Sequence, residues 1–444
     1  MKTDTIILFF FSLLTYACSN SPNQGIAEKP NIIIIFADDM GYGDLSCYGN
    51  PVNKTPNLDK LASEGIKLTS FYVAAPVCTP SRAGLLTGRY PIRHLPGNLG
   101  PESKHGLPQS EVTIAEILKT EGYATAAIGK WHLGHATPEL LPTGRGFDMF
   151  YGLPYSNDMI KPWVQTDTAL MMYENEKRIR EVGYEQEGLT DEYTKKAIDF
   201  IDQNKDNPFF IYLPYSMPHL PVSAPESYIK KANNNLYRAV VENIDADVGS
   251  ILNKLDELQL KENTLVIFTS DNGPWHNLPD RMLQKGVERW HTGSTGPLSG
   301  AKATTFEGGF RVPGIMRWPA ELPANKVYSD MLTTMDLFAT LASVAGARVP
   351  DSLHLDGYNA RDFLNGTSAT SPRDTLYYFR VKNLEAVRVG SFKYSIRKNI
   401  PELFDLENDP GENYNIIERH PEKAEEMQAL LEKFASETNG VLPQ

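Results

Sequence analysis

Asn31-Ile32-Ile33-Ile34-Ile35-Phe36, followed at once by Ala37-Asp38-Asp39, is the stretch that decides the fold. A β-branched apolar run without alternation is a strand buried on both faces, and such strands belong to parallel sheets covered by helices. The carboxylate pair then falls just past the strand's carboxyl end, where open α/β sheets gather their ligands. The pattern repeats along the chain. Thr55-Pro56 opens a helix by cap and first-turn proline, with Leu58, Leu61 and Ala62 on one face and Gly65 as its stop. Ile114, Ile117 and Leu118 form another helical face, and Tyr123–Gly129 reads as a strand. Helix Asp191–Asp202 precedes strand Phe209–Leu213, and helix Tyr237–Leu258 precedes strand Leu265–Thr269, which runs into Asp271-Asn272-Gly273. Strands alternating with helices predict an α/β unit with a mostly parallel sheet flanked by helices.

Helix Met335–Ala345 and a Gly/Pro/Asp-rich segment close this unit, which spans residues 29–371. Residues 372–444 read differently. Short strands at Leu376–Phe379, Ala386–Val389, Phe392–Ile396 and Glu402–Asp405, then an amphipathic helix at Pro421–Phe434, predict a small α+β subdomain with an antiparallel sheet. At the other end, Lys2 precedes the apolar run Ile6–Leu14, too short to span a bilayer. Residues 1–17 therefore read as a signal peptide. Thr15-Tyr16-Ala17-Cys18 resembles a relaxed lipobox, with ordinary cleavage near the same place as the plainer alternative, and residues 18–28 read as a polar tether. The expected location is outside the cytoplasm, periplasmic or anchored to the outer membrane through a lipid on Cys18.

The 444 residues carry 43 Lys and Arg against 55 Asp and Glu, a formal charge of −12. That balance excludes a broad basic face for nucleic acid. Beyond Cys18 only Cys47 and Cys78 remain, so no disulfide framework exists and Cys47 is expected to be a free, buried thiol.

Chemistry concentrates at strand ends and in one cysteine motif. In Cys78-Thr79-Pro80-Ser81-Arg82 the cysteine stands at the mouth of a helix with Ser81 as its N-cap. A helix N-terminus exposes unpaired N–H groups, which would acidify the thiol and hold an anion, and Arg82 adds a permanent charge. Asp38, Asp39, Asp271 and Asn272 offer an all-oxygen set suited to Ca²⁺ or Mg²⁺ and poorly suited to zinc. A turn or cap is the commoner use of one aspartate pair, but two such pairs follow buried strands here. In Gly129-Lys130-Trp131-His132-Leu133-Gly134, Lys130 and His132 would point to one side of an extended backbone. His219 and Lys302, each ambiguous alone, stand in Met217-Pro218-His219-Leu220-Pro221 and Gly300–Gly309.

Taken in order, these motifs resemble the type I sulfatases, whose C-x-P-x-R motif marks the cysteine for oxidation to formylglycine. The resemblance covers nearly the whole mature chain and implies an alkaline-phosphatase-like core. It implies a metal site of Asp38, Asp39, Asp271, Asn272 and the modified Cys78, holding Ca²⁺, with Mg²⁺ possible. It implies catalytic roles for Cys78, Arg82, Lys130, His132, His219 and Lys302, and a formylglycine-generating enzyme as a maturation partner. One hydroxyl of the aldehyde hydrate attacks sulfur, His219 with Lys302 protonates the departing alcohol, and His132 deprotonates the second hydroxyl so that sulfate leaves. Ser156, Asn157 and Asp158 resemble a substrate-side segment of arylsulfatase-like members.

The loop Trp275–Thr295 carries Trp275, His276, Arg281, Arg289, Trp290 and His291, aromatic and basic groups that suit a sulfated sugar, since rings pack on sugar C–H faces and arginine pairs with anions; His276, Arg289, Trp290 and His291 are its substrate-binding candidates. An ordinary surface loop is the equal alternative. The expected substrate is a sulfated glycan or oligosaccharide. The alternatives are an aryl-sulfate or phosphate/phosphonate ester hydrolase of the same fold, or a non-catalytic glycan-binding lipoprotein.

Overall fold

The computed structural model describes residues 29–443. The expected signal peptide, the tether and Cys18 lie outside the described residues. Two sheets organise the chain. The strands of the larger are β1 (Asn31–Ala37), β2 (Ile66–Tyr72), β3 (Ala124–Lys130), β4 (Met149–Leu153), β5 (Met171–Glu174), β6 (Lys177–Glu181), β7 (Phe209–Pro214), β8 (Thr264–Ser270), β9 (Arg311–Arg317), β10 (Lys326–Tyr328) and β11 (Leu332–Thr333). Their order is β10-β2-β9-β8-β1-β7-β3-β4-β5-β6, with β11 also on β2. The centre, from β8 to β4, is parallel throughout. Antiparallel pairing enters only where β9 joins β8 and β2 and where β5 and β6 extend the other edge.

The isoleucine run explains why β1 is central. Ile32, Ile34 and Phe36 enter one apolar cluster, while Ile33, Ile35 and Ala37 enter the other. Each fully buried isoleucine contributes about 1.5–3 kcal/mol, so the strand is stable only with both faces covered. The helices Pro56–Ser63, Leu189–Asn204 and Leu236–Glu257 supply Leu58, Tyr193 and Ile244 to the second cluster. Helices Ile114–Thr120 and Asp336–Ala345 supply Leu118 and Phe338 to the first. The sheet is thus covered on both sides, as expected.

The second sheet is an antiparallel meander of β12 (Thr375–Arg380), β13 (Asn383–Val389), β14 (Phe392–Arg397) and β15 (Ile400–Asp405). The helix Pro421–Thr438 packs on it, with Phe434 stacked on Tyr377 at 3.9 Å between ring centroids. Tyr378, Ala386 and Leu403 belong to the same apolar cluster as Phe36, so no gap divides the two units. The junction is also ionic. Buried Lys393 on β14 donates to the carbonyl of Thr305 at 2.9 Å and to Glu307 at 3.0 Å, and pairs with Glu412 at 3.0 Å. Cys47 corrects one expectation: the thiol is free but only half-buried. Burial and the adjacent Asp59 push it up to about 12. Among the described residues no helix is long and apolar enough to cross a membrane.

Candidate active site

Because β8, β1, β7 and β3 are adjacent and parallel, their carboxyl ends share one edge. That edge receives Asp271-Asn272 after β8, Asp38-Asp39 after β1, His219 in the loop after β7, and Lys130 as the last residue of β3. Cys78 and Arg82 arrive on the helix Cys78–Thr87, and Lys302 on the loop that leads into β9. Ser81 does not cap the helix. The helix begins at Cys78 with Val77 as its cap residue, because Pro80 fits the first turn, and the Ser81 hydroxyl is buried without a partner.

Three buried carboxylates interlock with three buried cations. Arg82 donates to Asp271 at 2.7 and 3.1 Å, to the carbonyl of Lys130 at 2.7 Å, and lies 3.4 Å from Asp38. Lys130 donates to Asp38 at 2.5 Å and to the Ser156 hydroxyl at 3.1 Å. Lys302 reaches Asp39 at 2.7 Å and lies 3.5 Å from the Cys78 sulfur, which is itself 3.5 Å from Asp38. His219 Nε2 stands 3.6 Å from Asp39. Asp39, His132 and Ala303 all adopt positive φ, of 66°, 59° and 64°. Three non-glycine residues in that sparsely populated region around one site mark backbone held by its surroundings. For His132 this overturns the extended-strand argument. The chain turns after Lys130, and His132 meets the site through that turn instead of by alternation.

The electrostatics separate the residues. Burial outweighs Lys130 and Lys302 and raises the Cys78 thiol well above its ordinary range. The acidified thiol expected from the helix terminus is therefore wrong: removal from water dominates. Asp38 is drawn down despite burial, by Lys130 and then Arg82. Asp39 goes the other way, to about 7, pushed by burial and by Asp38 and Asp271 against the pull of Lys302. Lys302 is held well above the ordinary lysine range by Asp39 and Cys78, against its burial. Burial and then neighbouring lysines take both histidines well below their usual value. The tautomers differ. His132 gives its Nε2 proton to the Leu99 carbonyl at 2.9 Å, leaving Nδ1 a buried acceptor with no partner. His219 gives its Nδ1 proton to the Leu220 carbonyl at 2.6 Å and turns Nε2 to the site.

The donor set fits a hard divalent cation. The carboxyl groups are buried, and Asn272 donates its amide to Asp39 at 2.7 Å while its Oδ1 is buried with no partner. Among the described residues, ligand atoms of Asp38, Asp39, Cys78 and His219 lie within 4.8 Å of one another. Asp271 stands aside from that group, with one oxygen on Arg82 and the other accepting the Asp39 N–H at 3.1 Å.

A pocket of about 250 Å³ opens onto Cys78 and is lined by His132, Ser156, Asp158, His219, Trp275, Arg281 and Lys302. Of the expected substrate residues, Ser156 and Asp158 line it. Asn157 does not; its amide is spent on Gln186 at 2.9 Å. His276, Arg289, Trp290 and His291 also fall outside the lining. His276 is tied to the Gly293 carbonyl, Arg289 to Asp280, and Trp290 is 71 % exposed with His291 beside it. Two other residues of that aromatic and basic set do line the pocket: Trp275, whose ring lies 4.9 Å from the Lys302 ammonium and 5.7 Å from His219, and Arg281, pinned to the Trp163 carbonyl at 2.6 Å. Asn98, a further lining residue, accepts from the Thr79 N–H at 3.0 Å and carried no sequence signal.

Comparison with known proteins gives the chain a family. The family model described as Sulfatase matches residues 30–347, and one described as N-sulphoglucosamine sulphohydrolase, C-terminal, matches residues 301–439. Human arylsulfatase A is 37 % identical over 441 residues, covering 88 % of this chain and 84 % of its own. Mouse N-acetylgalactosamine-6-sulfatase is 37 % identical over 424 residues, covering 90 % and 79 %. A protein crystallised with k-i-k-neocarrahexaose superposes with a TM-score of 0.80 at 33 % identity, over 92 % of this chain and 93 % of that one.

Proposed function

Since the chain belongs to the sulfatase family and is a sulfuric ester hydrolase, we propose that its substrate is a sulfated carbohydrate and that it works through formylglycine at position 78. The observation that carries the mechanism is the buried meeting of Cys78 with Asp38 and Lys302, inside a cluster that Arg82, Lys130 and Asp39 complete. When bound, the cation supplies charge for the sulfuryl oxygens and acidifies the attacking hydroxyl, which the formylglycine hydrate provides. Asp38, Asp39 and Asn272 would hold that cation, with Asp271 joining them through the oxygen that now accepts the Asp39 N–H, and calcium would suit three carboxylates and an amide. Lys130 and Lys302 meet the sulfuryl group with charge already in place, so little reorganisation accompanies the reaction. Arg82 fixes Asp271 and the end of β3, keeping the cluster in register.

The leaving alcohol takes its proton on the His219–Lys302 side. An arriving sulfate ester brings negative charge that favours imidazolium at Nε2. His132, with Nδ1 bare and Nε2 committed to Leu99, is built to accept a proton from the second hydroxyl. Support for a sugar substrate comes from the galactosamine-sulfatase relative and the carrageenan-oligosaccharide complex of a structural neighbour. Export, with or without a lipid on Cys18, and the division between residues 29–371 and 372–444 complete the proposal.

Peptide mass spectrometry of residue 78, with and without a co-expressed maturation enzyme, tests it beside turnover of sulfated sugars, nitrophenyl sulfate and phosphate esters. Activity should track the converted fraction and favour sulfate. Equal turnover by protein whose residue 78 is still a thiol would refute the mechanism.

A further inference from the structure

The catalytic pocket is smaller than its expected substrate. At about 250 Å³ it lies below the ~300–1,000 Å³ of most small-molecule sites, room for the sulfated sugar and little else. Beside it runs a groove of about 930 Å³, between the loop that carries Lys302 and the edge of the antiparallel sheet. The two adjoin at Ala303, which lines both. The floor is Thr304, Thr305 and Phe306, the backbone that leads directly from the catalytic lysine.

The walls have the character of a carbohydrate site. Arg397 lies 3.6 Å over the Phe306 ring, giving a flat surface, and is neutralised by Glu402 and Glu412. Arg380 is paired with Glu385 at 3.0 Å. Ile400 and Val441 stand on the rim, 60 % and 50 % exposed. Lys398 alone among the lining cations makes no ion pair or hydrogen bond among the described residues. It sits with Asn399 in the two-residue hairpin turn between β14 and β15, where φ values of 49° and 65° are those of a tight primed turn and leave Lys398 at its exposed tip. Paired charges, apolar rims and one unspent ammonium fit a polar, ringed, anionic chain better than an apolar ligand.

We propose that this groove is an extended glycan-binding cleft that takes the sugars beyond the one bearing the scissile sulfate, with Lys398 pairing to a second anionic group on the chain. The proposal rests on the carbohydrate reading above. The enzyme then recognises an oligosaccharide, and the antiparallel sheet is part of the substrate site.

Steady-state kinetics of wild type, Lys398→Glu and Ile400→Asp test this on nitrophenyl sulfate, a sulfated monosaccharide and hexasaccharides from glycosaminoglycan and carrageenan. Both substitutions are at exposed positions and leave the catalytic cluster untouched. Wild type should prefer a hexasaccharide. Lys398→Glu should raise its KM by about tenfold at low salt, and by less at high salt as screening grows. Ile400→Asp should raise it about threefold, a typical rim contact. Neither should change the monosaccharide or aryl sulfate. If wild type handles hexasaccharide no better than monosaccharide, or if both variants keep the preference, the cleft is refuted while the sulfatase on sugars stands. Turnover of nitrophenyl sulfate with none of any saccharide would sink the carbohydrate reading and the cleft together.

Discussion

Two clusters of buried charge lie at either end of the segment from Lys302 to Glu307, and they are built to opposite effect. At the junction with the small sheet, Glu307 accepts from Tyr72 at 2.6 Å, Tyr378 at 2.9 Å and Lys393 at 3.0 Å. Burial alone would raise this carboxyl, but Lys393, Arg388 and Arg311 hold it down to about 2. In the cluster around Cys78, Asp39 is also buried, yet it faces two other carboxylates and rises to about 7. There the Asn272 oxygen and a His132 nitrogen are left without partners. A buried carboxylate whose two oxygens are both partnered fixes a fold; buried charge beside unpartnered acceptors is ready for a ligand.

The comparison breaks most sharply by exchanging roles. Cys78→Ala should lower kcat for nitrophenyl sulfate by at least about 10⁴-fold, as loss of a nucleophile does, with a melting temperature within about 2 °C of wild type. A large fall in stability would show that the catalytic cluster also supports the fold. Lys393→Met should do the reverse. It strands Glu307 and Glu412 without their ammonium and should cost ~3–5 kcal/mol in denaturant titration, while folded protein retains most of its kcat.

The pH dependence follows from the direction of the Glu307 shift. A depressed carboxyl stabilises the fold fully above its unfolded value, about 4.3, and loses that contribution as pH falls through its folded value. The stability gap between wild type and Lys393→Met should therefore narrow from about pH 5 toward pH 2. A gap constant across that range would mean that Glu307 is not the group Lys393 serves.

Calcium sharpens the contrast from the other side. At a hundredfold excess over its Kd it should stabilise wild type by about 2.7 kcal/mol and restore activity removed by chelation. Asn272→Ala, which deletes the unpartnered oxygen, should weaken both responses. Stoichiometric zinc in active enzyme would contradict the oxygen-donor site. The smallest effect belongs to Trp290. With its ring in solvent, Trp290→Ala should change KM for a sulfated oligosaccharide by less than about threefold, and a larger change would return that loop to the substrate.

What could be read from the sequence divides along similar lines. β1, β3, β7 and β8 were legible because burial on both faces demands long apolar runs, and the carboxylates and Lys130 follow at once from where those runs stop. β9 reads Arg-Val-Pro-Gly-Ile-Met-Arg and β6 reads Lys-Arg-Ile-Arg-Glu. A proline and exposed charges hide both, since only pairing with neighbours makes them strands. The loop from Trp275 was legible only as a set, not residue by residue, for a related reason. Asp44, itself on Tyr237 at 2.7 Å, holds the Ser294 N–H at 2.7 Å. Such long-range ties direct Trp275 inward and leave Trp290 outside, and no local pattern encodes them. The acidified thiol failed because a motif shows which charges are near and not how much water is gone.

That missing water also orders events in the life of the protein. Cys78 is 2 % exposed at the bottom of a pocket far too narrow for another enzyme's active site. A maturation enzyme that oxidises this residue must therefore reach it before the helix Cys78–Thr87 docks beneath Asp38 and Lys302. On the proposed formylglycine mechanism, folding is then a deadline: a chain that closes over its thiol would keep the architecture and lose its chance at the chemistry, and the timing of synthesis, more than equilibrium, would set the active fraction.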